Sequence, residues 1–173
     1  YLLDPDRAGD FYGDTVKEIQ LTQGQVTQVD DEDFEYLSQR KWYARFNTGT
    51  KSFYAQRKSP RLFGYKHIFM HRVIMNTPEE MEVDHINHDT LDNQRSNLRN
   101  CTKSQNHCNT VHKNSCGYRG IAPNGNSWQA RITVDGKRIY LLTYPTREEA
   151  ARAYDEAAKK YHAEFAQLNF PNG

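Results

Sequence analysis

Hydrophobic and polar positions divide the chain into three stretches with different patterning. From about residue 16 to 75, short runs alternate apolar and polar side chains: Ile19-Gln20-Leu21, Val26-Thr27-Gln28-Val29, Trp42-Tyr43-Ala44 and Phe53-Tyr54-Ala55. Gaps rich in turn formers, such as Asn47-Thr48-Gly49-Thr50, separate them, which predicts a small antiparallel sheet. Asp31-Glu32-Asp33 leads into Phe34-Glu35-Tyr36-Leu37, a short helix with carboxylates at its positive end.

The second stretch, about 76–113, is dense in His, Asn and Asp and poor in bulky apolar residues, as a loop or a site would be. Thr102-Lys103-Ser104-Gln105 has the capping-box spacing, so a helix is expected to start there. The third stretch, about 114–172, contains two strand candidates, Trp128–Val134 and Lys137–Leu142. They flank Asp135-Gly136, a strong hairpin signal. Thr146-Arg147-Glu148-Glu149 is a second capping box and opens an Ala-rich helix to about His162. Ala150, Ala153, Ala157 and Tyr161 recur at helical spacing, with small side chains that let the helix lie close on a sheet. Asn109 to Ser115 is the expected linker.

Net charge is +1 over 173 residues, and its distribution carries more information than its sum. Residues 1–35 hold ten acids against Arg7 and Lys17, a balance of −8, so the remainder carries 21 basic and 12 acidic side chains, +9. Positive potential in the body suits a polyanion, while a solvated acidic head is the plain reading of the start. Cys101, Cys108 and Cys116 are odd in number and lack the paired spacing of structural zinc sites, so reduced thiols fit better than a disulfide framework or zinc cluster. The start, Tyr1-Leu2-Leu3, turns acidic at once and reads as no secretory signal. No run approaches the roughly 18 to 20 apolar residues of a membrane span, so no membrane partner is expected.

Phosphodiester hydrolysis needs an activated water, positive charge on the phosphate and stabilisation of the departing 3′ oxygen. Hard divalent cations take Asp and Asn oxygens, and a neutral histidine accepts a proton near neutral pH. Residues 83–109 contain all these groups, with Asp84 and His85 adjacent, so that on a strand they point to opposite sides. The spaced set Asp84-His85, Asn97-Leu98-Arg99 and Asn106, preceded by Met70-His71-Arg72-Val73-Ile74-Met75, resembles the HNH motif of phage and intron homing endonucleases, the ββα-metal fold. The resemblance implies that Asp84 and Asn106 bind one Mg²⁺ or Mn²⁺, without structural zinc. It makes His85 the general base and Asn97 the brace of the connecting loop. His71 and Arg72 stand evenly between phosphate contact and structural support. His88 occupies a position where many relatives have Gly.

Residues 117–171 resemble the Apetala/ethylene-response-factor DNA-binding domain, through Tyr118-Arg119-Gly120-Ile121, Trp128–Ile132, Gly136-Lys137, Thr146–Ala151, Ala153-Tyr154-Asp155 and Leu168-Asn169-Phe170-Pro171. That family lays a three-stranded sheet in the major groove, which makes Arg119, Trp128, Arg131, Lys137 and Arg138 the candidate DNA contacts. Leu142 and Ala163 replace glycines of the family pattern. The chain is therefore expected to be α+β: an acidic segment 1–15, then an HNH nuclease domain 16–113 with its ββα-metal core at about 76–110 behind a small antiparallel sheet. A three-stranded antiparallel sheet with one helix would follow at 114–173. The function implied is a metal-dependent endonuclease on double-stranded DNA, leaving 5′-phosphate and 3′-hydroxyl ends. It would act in the cytoplasm of a bacterium or phage-infected cell and nick as a monomer or cut both strands as a homodimer. A non-catalytic DNA-binding regulator and a structure-selective nuclease gripping backbone alone are the rival readings.

Overall fold

The computed structural model describes residues 15–59, 67–110 and 115–171. All but the last residue of the acidic segment 1–15 lie outside that set, as does the expected boundary at 113/114. Contacts group the chain into two units, one formed by residues up to Thr77 together with His85–Arg99, the other by Pro78–Asp84 together with Asn100 onward. The division runs along a two-stranded pair, β6 (Glu82–His85) and β7 (Leu98–Cys101).

The first unit opens with the hairpin β1 (Val16–Gln20) and β2 (Val26–Asp30), Val16 opposite Asp30 and Gln20 opposite Val26. Helix α1 (Asp31–Ser38) follows directly, with Asp31, Glu32 and Asp33 in its first turn. A second sheet, β3 (Tyr43–Asn47), β4 (Ser52–Lys58) and β5 (His67–Phe69), is antiparallel throughout, and the one-and-a-half-turn helix α2 (Met70–Ile74) leaves its last strand. Val29, Leu37, Trp42, Ala44, Ala55, Met70 and Ile74 are buried, and the Trp42 indole N–H donates to the Leu37 carbonyl at 2.9 Å. The strand pattern of the sequence captures these two sheets. It does not isolate β5 or α2, which are too short to show a period.

In the second unit helix α3 (Lys103–Cys108) begins at the anticipated Thr102–Gln105 capping box, both reciprocal bonds being present. A three-stranded antiparallel sheet follows, β8 (Ile121–Asn124), β9 (Ser127–Val134) and β10 (Lys137–Tyr144), in the order β10-β9-β8. Asp135 and Gly136 both have positive φ, 48° and 76°, as a two-residue primed turn requires. Helix α4 (Arg147–His162), capped by the Thr146–Glu149 box, packs Ala150, Ala151, Tyr154, Ala157 and Ala158 on Ile121, Ala130 and Ile132.

Small residues allow the close approach of helix and sheet. A Cβ built on Gly120 (φ 73°) would stand 1.8 Å from the Tyr154 ring, so this position admits glycine alone. Asp155, on the buried side of α4, accepts the backbone N–H groups of Asn169 (2.8 Å) and Phe170 (2.9 Å) and the Asn169 amide (3.0 Å). Asn169 in turn brackets the backbone of Arg119, accepting its N–H at 2.7 Å and donating to its carbonyl at 3.1 Å. The C-terminal Leu-Asn-Phe-Pro segment thereby locks the entrance to the sheet. Among the described residues, no helix is long and apolar enough to cross a membrane.

Candidate nuclease centre and DNA-binding sheet

In the first unit the connecting loop between β6 and β7 is built from successive Asx turns. Asn87 Oδ1 accepts the Asp89 N–H at 2.8 Å, Asp89 Oδ1 that of Leu91 at 3.0 Å, and Asp92 Oδ1 that of Gln94 at 3.3 Å. Asn97, 7% exposed, ties both limbs together, its Oδ1 accepting the Asn87 N–H at 2.9 Å and its Nδ2 donating to the Asp92 carbonyl at 2.8 Å. The loop is also stitched to β2: Gln28 N–H donates to Leu91 O at 2.9 Å, and Asn93 N–H to Gln28 O at 2.8 Å. Asp30, at the end of β2, leaves its own helix uncapped and accepts the Arg95 N–H at 2.7 Å. His88 sits at φ 66°, the left-handed conformation that explains why glycine suits this position.

His85 is 6% exposed. Its Nε2 faces Asn93 Oδ1 at 3.4 Å, while Asn93 Nδ2 donates to Thr27 Oγ1 at 2.7 Å and the Thr27 hydroxyl donates to Leu91 O at 2.7 Å. This hydrogen-bond chain has one polarity. Because the Thr27 proton is committed to a carbonyl, its oxygen must accept; the amide therefore presents NH₂ to Thr27 and its oxygen to His85. That arrangement puts the imidazole proton on Nε2 and makes Nδ1 the basic nitrogen. Sequence reasoning did not find Asn93 or Thr27, and Thr27 sits in a strand with nothing local to mark it.

The His71 ring meets His85 edge-on at 5.2 Å and stacks on Phe69 at 5.4 Å, while Tyr54 stands 6.3 Å from His85. Burial, with help from the neighbouring His85 and Arg72, drives the His71 pKa down to about 3, so it is neutral across the physiological range. At 8% exposure, with its Nδ1 lacking a hydrogen-bond partner, His71 supports the His85 ring by packing rather than reaching a phosphate. Arg72 donates to the Thr77 carbonyl at 3.4 Å, a structural contact beyond the end of α2.

In the second unit Asp84 is 5% exposed, and both its oxygens accept from Asn109 Nδ2, at 2.9 and 3.1 Å. Asn106, the residue expected to share a metal with Asp84, instead donates to Glu82 Oε2 at 2.6 Å. Asn106 and Asn109 lie three residues apart along α3 and its C-terminal turn, a spacing that puts them on one side. Strand alternation explains the exchange: Glu82 and Asp84 point the same way from β6, so each amide takes one carboxylate. The three-residue repeat of Asn along the helix was the sequence signal for Asn109. Among the described residues no group of three or more His, Cys, Asp or Glu is placed to hold a metal, and none of the three cysteines forms a disulfide.

The β8–β10 sheet sorts its candidates by register. Tyr140 opposes Arg131 and Arg138 opposes Thr133, so these four share the face away from α4, with Tyr140 59% exposed. Trp128 opposes Tyr144, and both pack against the Ile121–Ala130–Ala150–Ala151 cluster. Alternation along β9 puts Trp128, expected from the sequence to contact DNA, half-buried on the face toward α4 with Ala130 and Ile132. Lys137 and Arg138 are exposed at the start of β10. Arg119 is committed within the protein, Nε donating to Tyr154 Oη at 2.7 Å, Nη1 to the Thr110 carbonyl and Nη2 to the His107 carbonyl at 3.4 Å. Beyond α4, Ala163, which replaces a glycine of the family pattern, has φ 48° and ψ −125°, a primed-turn conformation that favours glycine.

A strand pair with an Asp-His end, an Asx-braced loop and a capped helix, followed by a three-stranded sheet under one helix, matches the arrangement expected of an HNH segment followed by an AP2-type domain. The HNH endonuclease family model matches residues 69–108, and the AP2 domain model matches residues 116–164. An uncharacterized HNH endonuclease of Acanthamoeba polyphaga mimivirus is 35% identical over 106 residues, 60% of this chain and 56% of its own length. Dehydration-responsive element-binding protein 2A of Arabidopsis thaliana is 46% identical over 59 residues, 32% of this chain and 18% of its own. An ethylene-responsive transcription factor of the same plant is 47% identical over 57 residues, 31% of this chain and 13% of its own. The chain thus spans about half of the viral relative and less than a fifth of the plant factors.

Proposed function

We propose that the protein is a metal-dependent endonuclease acting on double-stranded DNA, with the β8–β10 sheet selecting where it acts. The observation that carries the reading is the polarised Thr27–Asn93–His85 chain, which makes Nδ1 the basic nitrogen of an imidazole on the residue next to a buried carboxylate. His85 Nδ1 accepts the proton of the attacking water, and Asn97 keeps the loop that carries His85 and Asn93 in one conformation.

The donor set at Asp84 fits a hard divalent cation: one carboxylate and one amide, with waters and phosphate oxygens completing the shell. It lacks the four nitrogen or sulfur ligands of structural zinc. With the Asn109 amide turned to present Oδ1 in place of the Nδ2 that now donates to Asp84, the two residues would hold Mg²⁺ or Mn²⁺, which when bound supplies positive charge to the phosphate and the departing 3′ oxygen. The products are a 5′-phosphate and a 3′-hydroxyl. On the sheet, Arg131, Arg138 and Tyr140 would meet base edges and Lys137 the backbone, a reading supported by the shared face of the first three away from α4. Arg119 reaches DNA only by leaving Tyr154 and the carbonyls it now holds.

One such centre nicks one strand; a double-strand cut takes a homodimer or a second visit. The setting we propose is cytoplasmic DNA of a bacterium or phage-infected cell, with the nuclease part of the sequence taken to end at residue 113. A supercoiled-plasmid assay with Mg²⁺, with EDTA and with His85→Ala tests the reading. Nicking by the wild type with Mg²⁺ alone is expected. Equal nicking by His85→Ala removes the mechanism, and no nicking by any form turns the reading toward a DNA-binding regulator.

A further inference from the structure

The first unit contains a stretch that the chemistry above does not use. From Ser38 to Thr77 there is no Asp or Glu, while nine Lys or Arg and eight aromatic residues occur in the same 40 positions. Such a run is far from the mixed charge of an ordinary solvated surface and has the composition of a single-strand or backbone-gripping face. Three of the acids that precede it are engaged elsewhere, Glu32 and Asp33 by Arg95 at 2.7 and 2.8 Å and Asp31 by Lys17 at 3.6 Å.

The register of β3–β5 shows where these groups point. Arg45 opposes Tyr54, Gln56 opposes both Tyr43 and Phe69, and Lys58 opposes His67, so Tyr43, Arg45, Tyr54, Lys58, His67 and Phe69 share one face. Tyr43 Oη and Arg45 Nη1 each lie 3.2 Å from a nitrogen of the exposed His67 ring. A pocket of about 310 Å³ lies among Arg45, Tyr54, His67 and Phe69. Its aromatic floor is continuous with the nuclease centre of the same unit: Tyr54 stands 6.3 Å from the His85 ring, and Phe69 stacks on the His71 that supports it.

We propose that this face of β3–β5 is a second DNA-binding surface, distinct from β8–β10, which holds the strand beside the bond cut by the water that His85 deprotonates. Arg45, Lys58 and His67 would contact phosphates, and a base flanking the cut would lie against Tyr54 and Phe69. The occupant is DNA because the face offers cations without acids, aromatic area for stacking and a floor that ends at the catalytic histidine. The placement beside the cut rests on the nuclease reading; the DNA contact does not.

The test is photocross-linking of the full chain, in EDTA, to a duplex carrying 5-iododeoxyuridine in place of thymidine, with the cross-linked peptides identified by mass spectrometry. Cross-links within residues 43–58, in addition to those from β8–β10, are expected; cross-links confined to residues 116–171 overturn the proposal. The exposed pair Arg45→Ala/Lys58→Ala should weaken duplex binding about tenfold and lower the slope of log affinity against log salt by about 2. Binding and slope equal to wild type would also overturn it. An inactive wild type that still cross-links at 43–58 removes the nuclease reading and leaves this surface standing.

Discussion

Asn93 donates its amide N–H to the Thr27 hydroxyl at 2.7 Å, and with that bond a residue of the first hairpin sets which nitrogen of the His85 imidazole carries the proton. Both partners are fully buried, so water does not substitute for either. Asn93→Ala should lower kcat for plasmid nicking between 10- and 100-fold, in the range of supporting-residue substitutions at hydrolytic sites. Thr27→Val, which keeps the volume and removes the oxygen, should lower kcat in the same direction while DNA affinity in EDTA is unchanged. An unaltered kcat in both variants would separate the hairpin from the chemistry.

The exchange of asparagines at β6 makes a metal prediction. If Asn109 shares the cation with Asp84, Asn109→Ala raises the Mg²⁺ concentration for half-maximal nicking by about tenfold or more, while Asn106→Ala changes it little. Removing Asn106 should instead cost roughly 1 to 3 kcal/mol of stability by leaving the Glu82 carboxylate without that donor. A Mg²⁺ titration of the two variants decides it, and the reverse order would return the ligand role to Asn106.

Backbone strain after α4 predicts a gain. Ala163 at φ 48°, ψ −125° occupies a conformation that glycine adopts without a Cβ clash. Ala163→Gly should therefore stabilise the protein by about 1 kcal/mol, a rise of roughly 2 to 4 °C in melting temperature. The converse substitution at the other end of the sheet, Gly120→Ala, forces a methyl into the Tyr154 ring. It should unfold the β8–β10 domain, seen as lost near-ultraviolet dichroism and lost duplex binding.

Elements marked by local chemistry are legible in the amino-acid sequence. Both capping boxes open helices at the residues that carry them, and Asp135-Gly136 makes the hairpin. Asp84, His85 and Asn97 lie on the strand pair and loop that the motif spacing implies. What stays hidden depends on partners far apart along the chain. Thr27 and Asn93 are separated by 66 positions, and the Glu82–Asn106 and Asp84–Asn109 pairings by 24 and 25, so nothing local declares them. Trp128 is a related case: a tryptophan next to arginines suits a groove reader, and only the register of β9 against β10 shows that it faces the helix.

His71 supplies a pH dependence whose sign is fixed by its surroundings. Its folded pKa of about 3 lies below the ordinary 6.5, because burial disfavours the imidazolium and His85 and Arg72 add repulsion. The fold therefore holds the neutral form, and this contribution is complete above pH 6.5 and lost progressively as the pH falls toward 3. Its ceiling is about 5 kcal/mol from linkage, since each pKa unit is worth about 1.4 kcal/mol. His71→Phe keeps an aromatic ring against Phe69 and His85 and has nothing to protonate. Urea melts between pH 7 and pH 4 should show the wild type losing stability more steeply than His71→Phe. Parallel slopes would mean that His71 is hydrated as the protein unfolds locally and is not held neutral in its core.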